Sequence, residues 1–286
     1  MTDRSDHLGD PFETSNYREL PLPIRGDTQL FVIIGDPIAQ VGSPAIFNTI
    51  FRQAGAAAVL VPYHVGAEDL EDALRGFRGA RNLGGIIVTV PHKIAVLPLI
   101  DDVGDSARRI GAVNAIRREP DGALIGDNFD GQGCVAGLYN KGHQVAGRRV
   151  LLIGAGGAGR AVANALADAG AGAITLYDLD PERAAALAQS ICENRPSVEV
   201  RVGSPDPSGY DVVVNCSPLG MKPEDPYPVD PARLSPQTLV VDAVLKPRIS
   251  PLLKAAGARG CMVQPGYRML EGQAHAIAEF FGIKTG

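Results

Sequence analysis

Short apolar runs alternate with amphipathic stretches along most of this chain. Leu30-Phe31-Val32-Ile33-Ile34 is a continuous apolar run stopped by Gly35-Asp36-Pro37, the pattern of a strand buried on both faces. Ser43 before Pro44 reads as an N-cap followed by the first helical position, and Ile46, Phe47, Ile50 and Phe51 recur at helical spacing until Gly55. Strand is then predicted over 59–65, helix over 68–77 and strand over 85–90. This alternation implies a mainly parallel sheet covered by helices.

A second series opens at Arg149-Val150-Leu151-Leu152-Ile153, with further strand candidates at 174–177, 198–202, 212–215 and 239–241. A connecting helix is expected within 131–142. In the stretch from Met269 to Phe281, Leu270, Ala274, Ile277, Ala278 and Phe281 form an apolar stripe, which predicts a last helix packing back on the first domain. The expected organisation is an extended polar arm over 1–27, an α/β domain over 28–133, a second α/β domain over 134–247, and a returning C-terminal segment over 248–286.

Composition narrows the function. The 27 Lys and Arg against 32 Asp and Glu leave a net charge of −5, which excludes a generic polyanion binder, so no nucleic acid partner is expected. No run reaches the roughly 18 apolar residues of a membrane span, and Met1-Thr2-Asp3-Arg4-Ser5-Asp6 lacks a signal-peptide core; a cytoplasmic protein without a membrane partner is expected. Cys134, Cys192, Cys216 and Cys261 form no C-x-x-C pair, and are expected as reduced, individually buried thiols. Glu271 and His275 lie four apart with no further ligand set, so no metal is expected.

The sharpest local signal follows the strand ending at Ile153. Gly154-Ala155-Gly156-Gly157-Ala158-Gly159 satisfies G-x-G-x-x-G. The first glycine permits the tight turn, the second lets backbone approach a pyrophosphate, and the third lets helix pack on strand. The next strand ends in Asp178, 24 residues after Gly154. A carboxylate there accepts from ribose hydroxyls and repels a 2′-phosphate, so NAD is favoured over NADP as the cofactor. Arg183 is the competing signal, either a phosphate ligand or a solvated partner of Asp180 or Glu182.

Several ordered blocks resemble the shikimate dehydrogenase family. Gly85-Ile86-Ile87-Val88-Thr89-Val90-Pro91-His92-Lys93 is similar to its G-x-N-V-T-x-P-x-K, Gly111 to Asn114 to G-A-V-N, and Asn128-Phe129-Asp130-Gly131 to N-T-D-G. Downstream, Gly154 to Ala161 resembles G-A-G-G-A-x-R-A, Asn215 to Met221 resembles N-x-T-P-L-G-M, and Met269 to Ala274 resembles M-L-x-x-Q-A. The resemblance runs from about Phe31 to Gly282. It implies a substrate-binding α/β domain followed by a Rossmann-type domain, and an NAD(P)-dependent oxidoreductase acting on shikimate, quinate or a related alicyclic hydroxy acid, in aromatic amino acid biosynthesis or quinate use. It also implies Lys93 and Asp130 as the catalytic pair, with Ser43, Thr89, Asn114 and Gln273 as substrate contacts. Besides the glycine loop, Asp178 and Arg183, it implies cofactor contacts at Ser217, Gly266 and Met269. Lys93 would stabilise the alkoxide and transfer the proton, with Asp130 orienting it. A homodimer is compatible with the sequence, which does not determine oligomeric state.

The departures bear on the substrate. Val41 stands where the family's opening block has its first serine, Ile87 where it has asparagine, Phe129 where it has threonine, and Leu245 where it has tyrosine. Each carboxylate hydrogen bond lost this way costs about 1.5 to 3 kcal/mol. Arg268 is a candidate replacement partner. The alternatives are a family member with a less polar substrate and a ligand-sensing homologue without turnover.

Overall fold

The computed structural model describes residues 24–285, so most of the arm expected over 1–27 lies outside the described residues. Ordered structure begins with β1 (Gln29–Gly35), whose apolar run is buried almost throughout. The first unit continues through α1 (Ser43–Gln53), β2 (Ala58–His64), α2 (Leu70–Gly79), β3 (Leu83–Val88), the one-turn α3 (His92–Ala95), β4 (Asp102–Val103), α4 (Asp105–Ile110), β5 (Ala115–Arg118), β6 (Leu124–Asp127) and α5 (Asp130–Tyr139). Its sheet has the order β2-β1-β3-β5-β6-β4.

That sheet is mainly parallel, as the alternation implies, with one unexpected strand: β5 runs antiparallel to both β3 and β6. The hairpin turns at Gly122, whose φ of +96° suits glycine. Two local expectations also need correction. Ser43 is the first residue of α1 rather than its cap; Gly42 holds the cap position and no side chain caps the helix. β3 ends at Val88, which leaves Thr89 and Val90 beyond the strand.

The second unit comprises β7 (Arg149–Ile153), α6 (Gly157–Asp168), β8 (Ala173–Tyr177), α7 (Pro181–Asn194), β9 (Glu199–Val202), β10 (Val212–Asn215), β11 (Leu239–Asp242), α8 (Pro251–Ala258) and β12 (Met262–Gln264). Its sheet is parallel throughout, in the order β12-β11-β10-β7-β8-β9. This is the doubly wound nucleotide-binding order, with the switch point between β7 and β10. The stretch after 247, expected to return to the first unit, instead adds α8 and β12 to this sheet. Only the final helix, α9 (Tyr267–Phe280), goes back.

Each sheet carries apolar clusters on both faces. In the first, Phe31, Ile33 and Ile87 pack with α1 and the far end of α9, while Val32, Ile34, Ile86 and Val88 pack with α2 on the opposite face. Phe281, just past α9, stacks on Phe31 at 5.1 Å. α9 also crosses α5 closely: a Cβ on Gly133 would lie 2.4 Å from the Met269 carbonyl oxygen, and one on Gly272 would lie 2.4 Å from that of Gly133. This contact brings Gln273 to the start of α5. Among the described residues no helix is long and apolar enough to cross a membrane.

The cysteines depart in part from expectation. All four are free, yet Cys192 is exposed and Cys216 half-buried, whereas Cys134 and Cys261 are buried. Cys192 sits near the end of α7, on a helix whose buried stripe is Ala184, Leu187 and Ile191, so helical phase turns it outward.

Candidate active site

Three segments of the first unit and the returning helix converge on one hydrogen-bonded cluster. Lys93 comes from α3, anchored by the Val113 N–H donating to the Lys93 carbonyl at 2.7 Å. Its Nζ is paired with Oδ2 of Asp130, at the start of α5. Asn114 Nδ2 donates to Asp130 Oδ1 at 3.0 Å and to Gln273 Oε1 of α9 at 2.6 Å, and Asn114 Oδ1 accepts the Phe129 N–H at 2.9 Å. The carboxylate is 2% exposed and the lysine 12%. A charge this deep persists only when paired and hydrogen-bonded, and both Asp130 oxygens have partners.

Asn128, the first residue of the Asn128 to Gly131 block, supports this arrangement. Its Oδ1 accepts the Asp130 N–H at 3.1 Å and its Nδ2 donates to the Ala112 carbonyl at 3.0 Å. Ser43 is buried in the first turn of α1, and Thr89 is half-buried just beyond β3. They flank the cluster's sheet rather than entering its hydrogen-bond set. His92 turns away, its Nε2 2.7 Å from the Val65 carbonyl oxygen.

The second unit presents the glycine turn. Gly154 has φ +97°, and a Cβ there would lie 2.8 Å from the Cys216 carbonyl carbon. A Cβ on Gly159 would lie 1.8 Å from the Gly154 carbonyl oxygen, while Gly156 faces open space at the N-cap of the twelve-residue α6. Gly157 and Ala158 form the first turn of α6, where backbone N–H groups lack intrahelical partners. Asp178 closes the turn, its carboxylate accepting the Ala155 N–H at 2.6 Å and the Asp180 N–H at 2.9 Å. These features fit a dinucleotide: open space and free N–H groups for the pyrophosphate, and a fixed carboxylate for the ribose. Arg183 pairs with Asp180 at 3.0 Å, on the exposed start of α7.

The other expected cofactor residues already have protein partners. Ser217 Oγ donates to Asn215 Oδ1 at 2.6 Å. Gly266 meets backbone, since a Cβ there would lie 2.7 Å from the Val244 carbonyl oxygen. Met269 packs in the apolar cluster of the second unit. Arg268 is bonded to Glu271 at 3.0 Å and lies over the Tyr267 ring at 4.8 Å. Among the described residues no group of three His, Cys, Asp or Glu is arranged to hold a metal ion.

Gly157 joins the two sides. A Cβ at this position would lie 2.8 Å from Lys93 Cβ, so the dinucleotide turn abuts the lysine directly. Gly131 makes a second close contact across the units, with a Cβ 2.3 Å from the Ala161 carbonyl oxygen.

Behind the turn lies a buried carboxylate that the sequence reading missed. Asp242, at the end of β11, accepts from Asn215 Nδ2 at 3.0 Å, Ser250 Oγ at 2.6 Å and the Val244 N–H at 3.0 Å. Burial pushes its carboxyl up to about 6, against the lowering effect of those donors. The folded state therefore prefers the protonated acid: stability is lost as pH rises through about 6 and regained as pH falls towards the unfolded value of 3.8. The difference corresponds to about 3 kcal/mol. Urea unfolding of the wild type and Asp242→Asn at pH 7.5 and pH 4.5 isolates this group, because all other carboxylates are common to both. The wild type should gain on the variant at the lower pH; a constant difference would refute the assignment. Burial likewise raises the Cys134 thiol to about 12 and holds Cys216 well above its ordinary value, which keeps both thiols protonated and inert.

A parallel sheet in nucleotide-binding order, with its glycine turn at the switch point and against a buried Lys–Asp pair, defines a two-domain NAD(P)-dependent oxidoreductase. The family model "Shikimate dehydrogenase substrate binding domain" matches residues 33–116, and "Shikimate / quinate 5-dehydrogenase" matches 138–202. The shikimate dehydrogenase (NADP(+)) of Symbiobacterium thermophilum is 37% identical over 271 residues, covering 92% of each chain. The crystal structure of shikimate dehydrogenase from Aquifex aeolicus superposes with a TM-score of 0.83 at 34% identity, over 92% of this chain and 96% of that one. The 5-ketofructose reductase of a Gluconobacter species is also 34% identical, with a TM-score of 0.77 over 90% and 94% of the two chains. The chain belongs to the shikimate dehydrogenase family.

Proposed function

We propose that this chain catalyses reversible hydride transfer between a nicotinamide cofactor and a ring hydroxyl or ketone, with Lys93 and Asp130 as the catalytic pair. The observation that carries the reading is the Lys93–Asp130–Asn114–Gln273 cluster set against Gly157 of the dinucleotide turn. The bound cofactor supplies the hydride donor or acceptor. In the reducing direction Lys93 hydrogen-bonds the ketone oxygen, stabilises the negative charge that develops there and donates the proton that completes the hydroxyl. Asp130 orients the ammonium group, and Asn114 fixes the carboxylate through its other oxygen. Gln273, whose Oε1 is taken by Asn114, has its Nε2 to offer a substrate hydroxyl. Ser43 and Thr89 are further contacts at the rim.

Shikimate and quinate, the compounds named in the family, are the first substrates to test, by following reduced nicotinamide. A purified, folded protein that turned over no cyclic or acyclic hydroxy compound or ketone with either cofactor would end this reading. A second reading, a less polar substrate, is favoured by Val41, Ile87 and Phe129, which put hydrocarbon where the family has hydroxyl or amide side chains.

NAD is the preferred cofactor in this proposal, although the Symbiobacterium relative is named for NADP(+). Asp178 is held in place by the turn and would repel a 2′-phosphate, while Arg183, the nearby cation, is neutralised by Asp180. kcat/KM should therefore be higher with NAD, and Asp178→Asn should narrow the preference by about tenfold, mostly through a gain on NADP. A wild type faster with NADP would contradict it.

A further inference from the structure

We infer that Arg117, Phe129 and Phe280 are positioning residues that brace the three segments carrying Asn114, Asp130 and Gln273, a role that rests on the proposed dehydrogenase reading. Those three side chains meet through the two hydrogen bonds of the Asn114 amide. The same three segments meet a second time. Arg117 lies in β5, three residues after Asn114; Phe129 directly precedes Asp130; and Phe280 ends α9, seven residues or about two turns beyond Gln273. The Arg117 guanidinium stands over the Phe280 ring, 4.9 Å from its centroid, and Nη1 donates to the Phe280 carbonyl at 3.2 Å. Phe129 packs on the same ring, with centroids 5.4 Å apart and planes inclined at 53°. Glu119 holds Arg117 in turn, at 2.6 Å.

The start of α5 needs such support. Phe129 occupies its N-cap and no side chain caps the helix, whereas a serine, threonine, aspartate or asparagine there would accept a backbone N–H of the first turn. Asn114 Oδ1 and Asn128 Oδ1 take the Phe129 and Asp130 N–H groups, and the Phe129 ring adds an anchor on α9. α9 needs that anchor as well, because its close crossing with α5 runs through Gly133 and Gly272, which let the backbones approach but interlock no side chains along the axis. Phe281 ties the end of α9 to the core on Phe31. Phe280, only half-buried, instead joins that end to β5 and to the turn before Asp130. Tilted aromatic pairs and a guanidinium over a ring are directional contacts, so they fix position where plain hydrocarbon would let it drift.

The test uses the purified full chain, well below its melting temperature. Misplacing a reacting group by about 1 Å costs about 100-fold in rate, so Phe280→Ala should lower kcat by about tenfold or more while the KM for the nicotinamide cofactor stays within about twofold. Phe280→Tyr, which keeps the ring, should restore kcat. Arg117→Met should act in the same direction, and the double variant should be no slower than Phe280→Ala alone, because both changes break one unit. A second readout needs no turnover: hydrogen exchange of the Asn114 side-chain amide, followed by NMR, should quicken by about tenfold or more in Phe280→Ala as the bonds to Asp130 and Gln273 open, with the backbone amides of β7 unchanged. A variant that melts earlier yet keeps wild-type kcat would show that Phe280 supplies stability alone and would overturn the brace. Unchanged Asn114 exchange, or losses in kcat that multiply in the double variant, would overturn it too, and either result leaves the dehydrogenase reading standing. If the wild type turns over no substrate, that reading fails by itself and the exchange rate alone decides the brace. Arg117→Met carries both readouts should Phe280→Ala not fold.

Discussion

Replacing Lys93 by alanine is expected to lower kcat by at least about 100-fold on the best substrate, with a much smaller change in KM. The change removes the group that both stabilises the reacting oxygen and delivers its proton, an effect concentrated in the transition state. It also leaves Asp130 buried without its counter-charge, at 2% exposure, a situation that costs several kcal/mol of stability. A stability measurement must therefore accompany the kinetics. The double variant Lys93→Ala with Asp130→Asn removes the stranded charge, so it should recover stability without recovering turnover. Near wild-type kcat in the folded single variant would remove Lys93 from the mechanism.

The second large effect is expected at Gly159. An alanine Cβ would lie 1.8 Å from the Gly154 carbonyl oxygen, a backbone atom that moves only if the turn itself opens. Because the Ala155 N–H of that turn is bonded to Asp178, opening it disturbs the ribose carboxylate as well. Gly159→Ala should weaken binding of both NAD and NADP by about 100-fold or more, read by calorimetric titration, and should lower the melting temperature, since forced overpacking costs about 1–3 kcal/mol. Gly156→Ala is the informative contrast. Nothing lies within 4 Å of its added methyl, so the melting temperature should hold while dinucleotide affinity falls, because the methyl enters the space through which a pyrophosphate approaches. Equal loss of stability in both variants would show that the glycines serve packing alone.

How far these features were legible depended on the range of the interactions behind them. The strand 149–153, its glycine turn and the helix after it form one continuous segment governed by local rules, so position and role emerged together. The same holds for the last helix, whose stripe repeats at helical spacing from Leu270 to Phe281. β4 and β12 were missed because they have only two and three residues, and β5 and β6 because Ala-Ile-Arg-Arg and Leu-Ile-Gly-Asp each carry only two apolar residues before turning polar, unlike the equally short but more apolar β10 and β11. The antiparallel placement of β5 followed from the same omission.

Periodicity and turn chemistry in the sequence by themselves determined the two α/β series, the dinucleotide turn with Asp178, and, through ordered blocks, the candidate site residues. Only the tertiary structure decided that Asn114 and Gln273, 159 residues apart, share a hydrogen bond, and that Gly157 abuts Lys93 across the two units. It alone paired Arg183 with Asp180, turned Arg268 to Glu271 and buried Asp242 among Asn215, Ser250 and Val244. The physical reason is common to all of these. Strand and helix periods reflect neighbours a few residues apart, whereas the charge balance of a cleft depends on which distant groups packing brings within about 3 Å of one another.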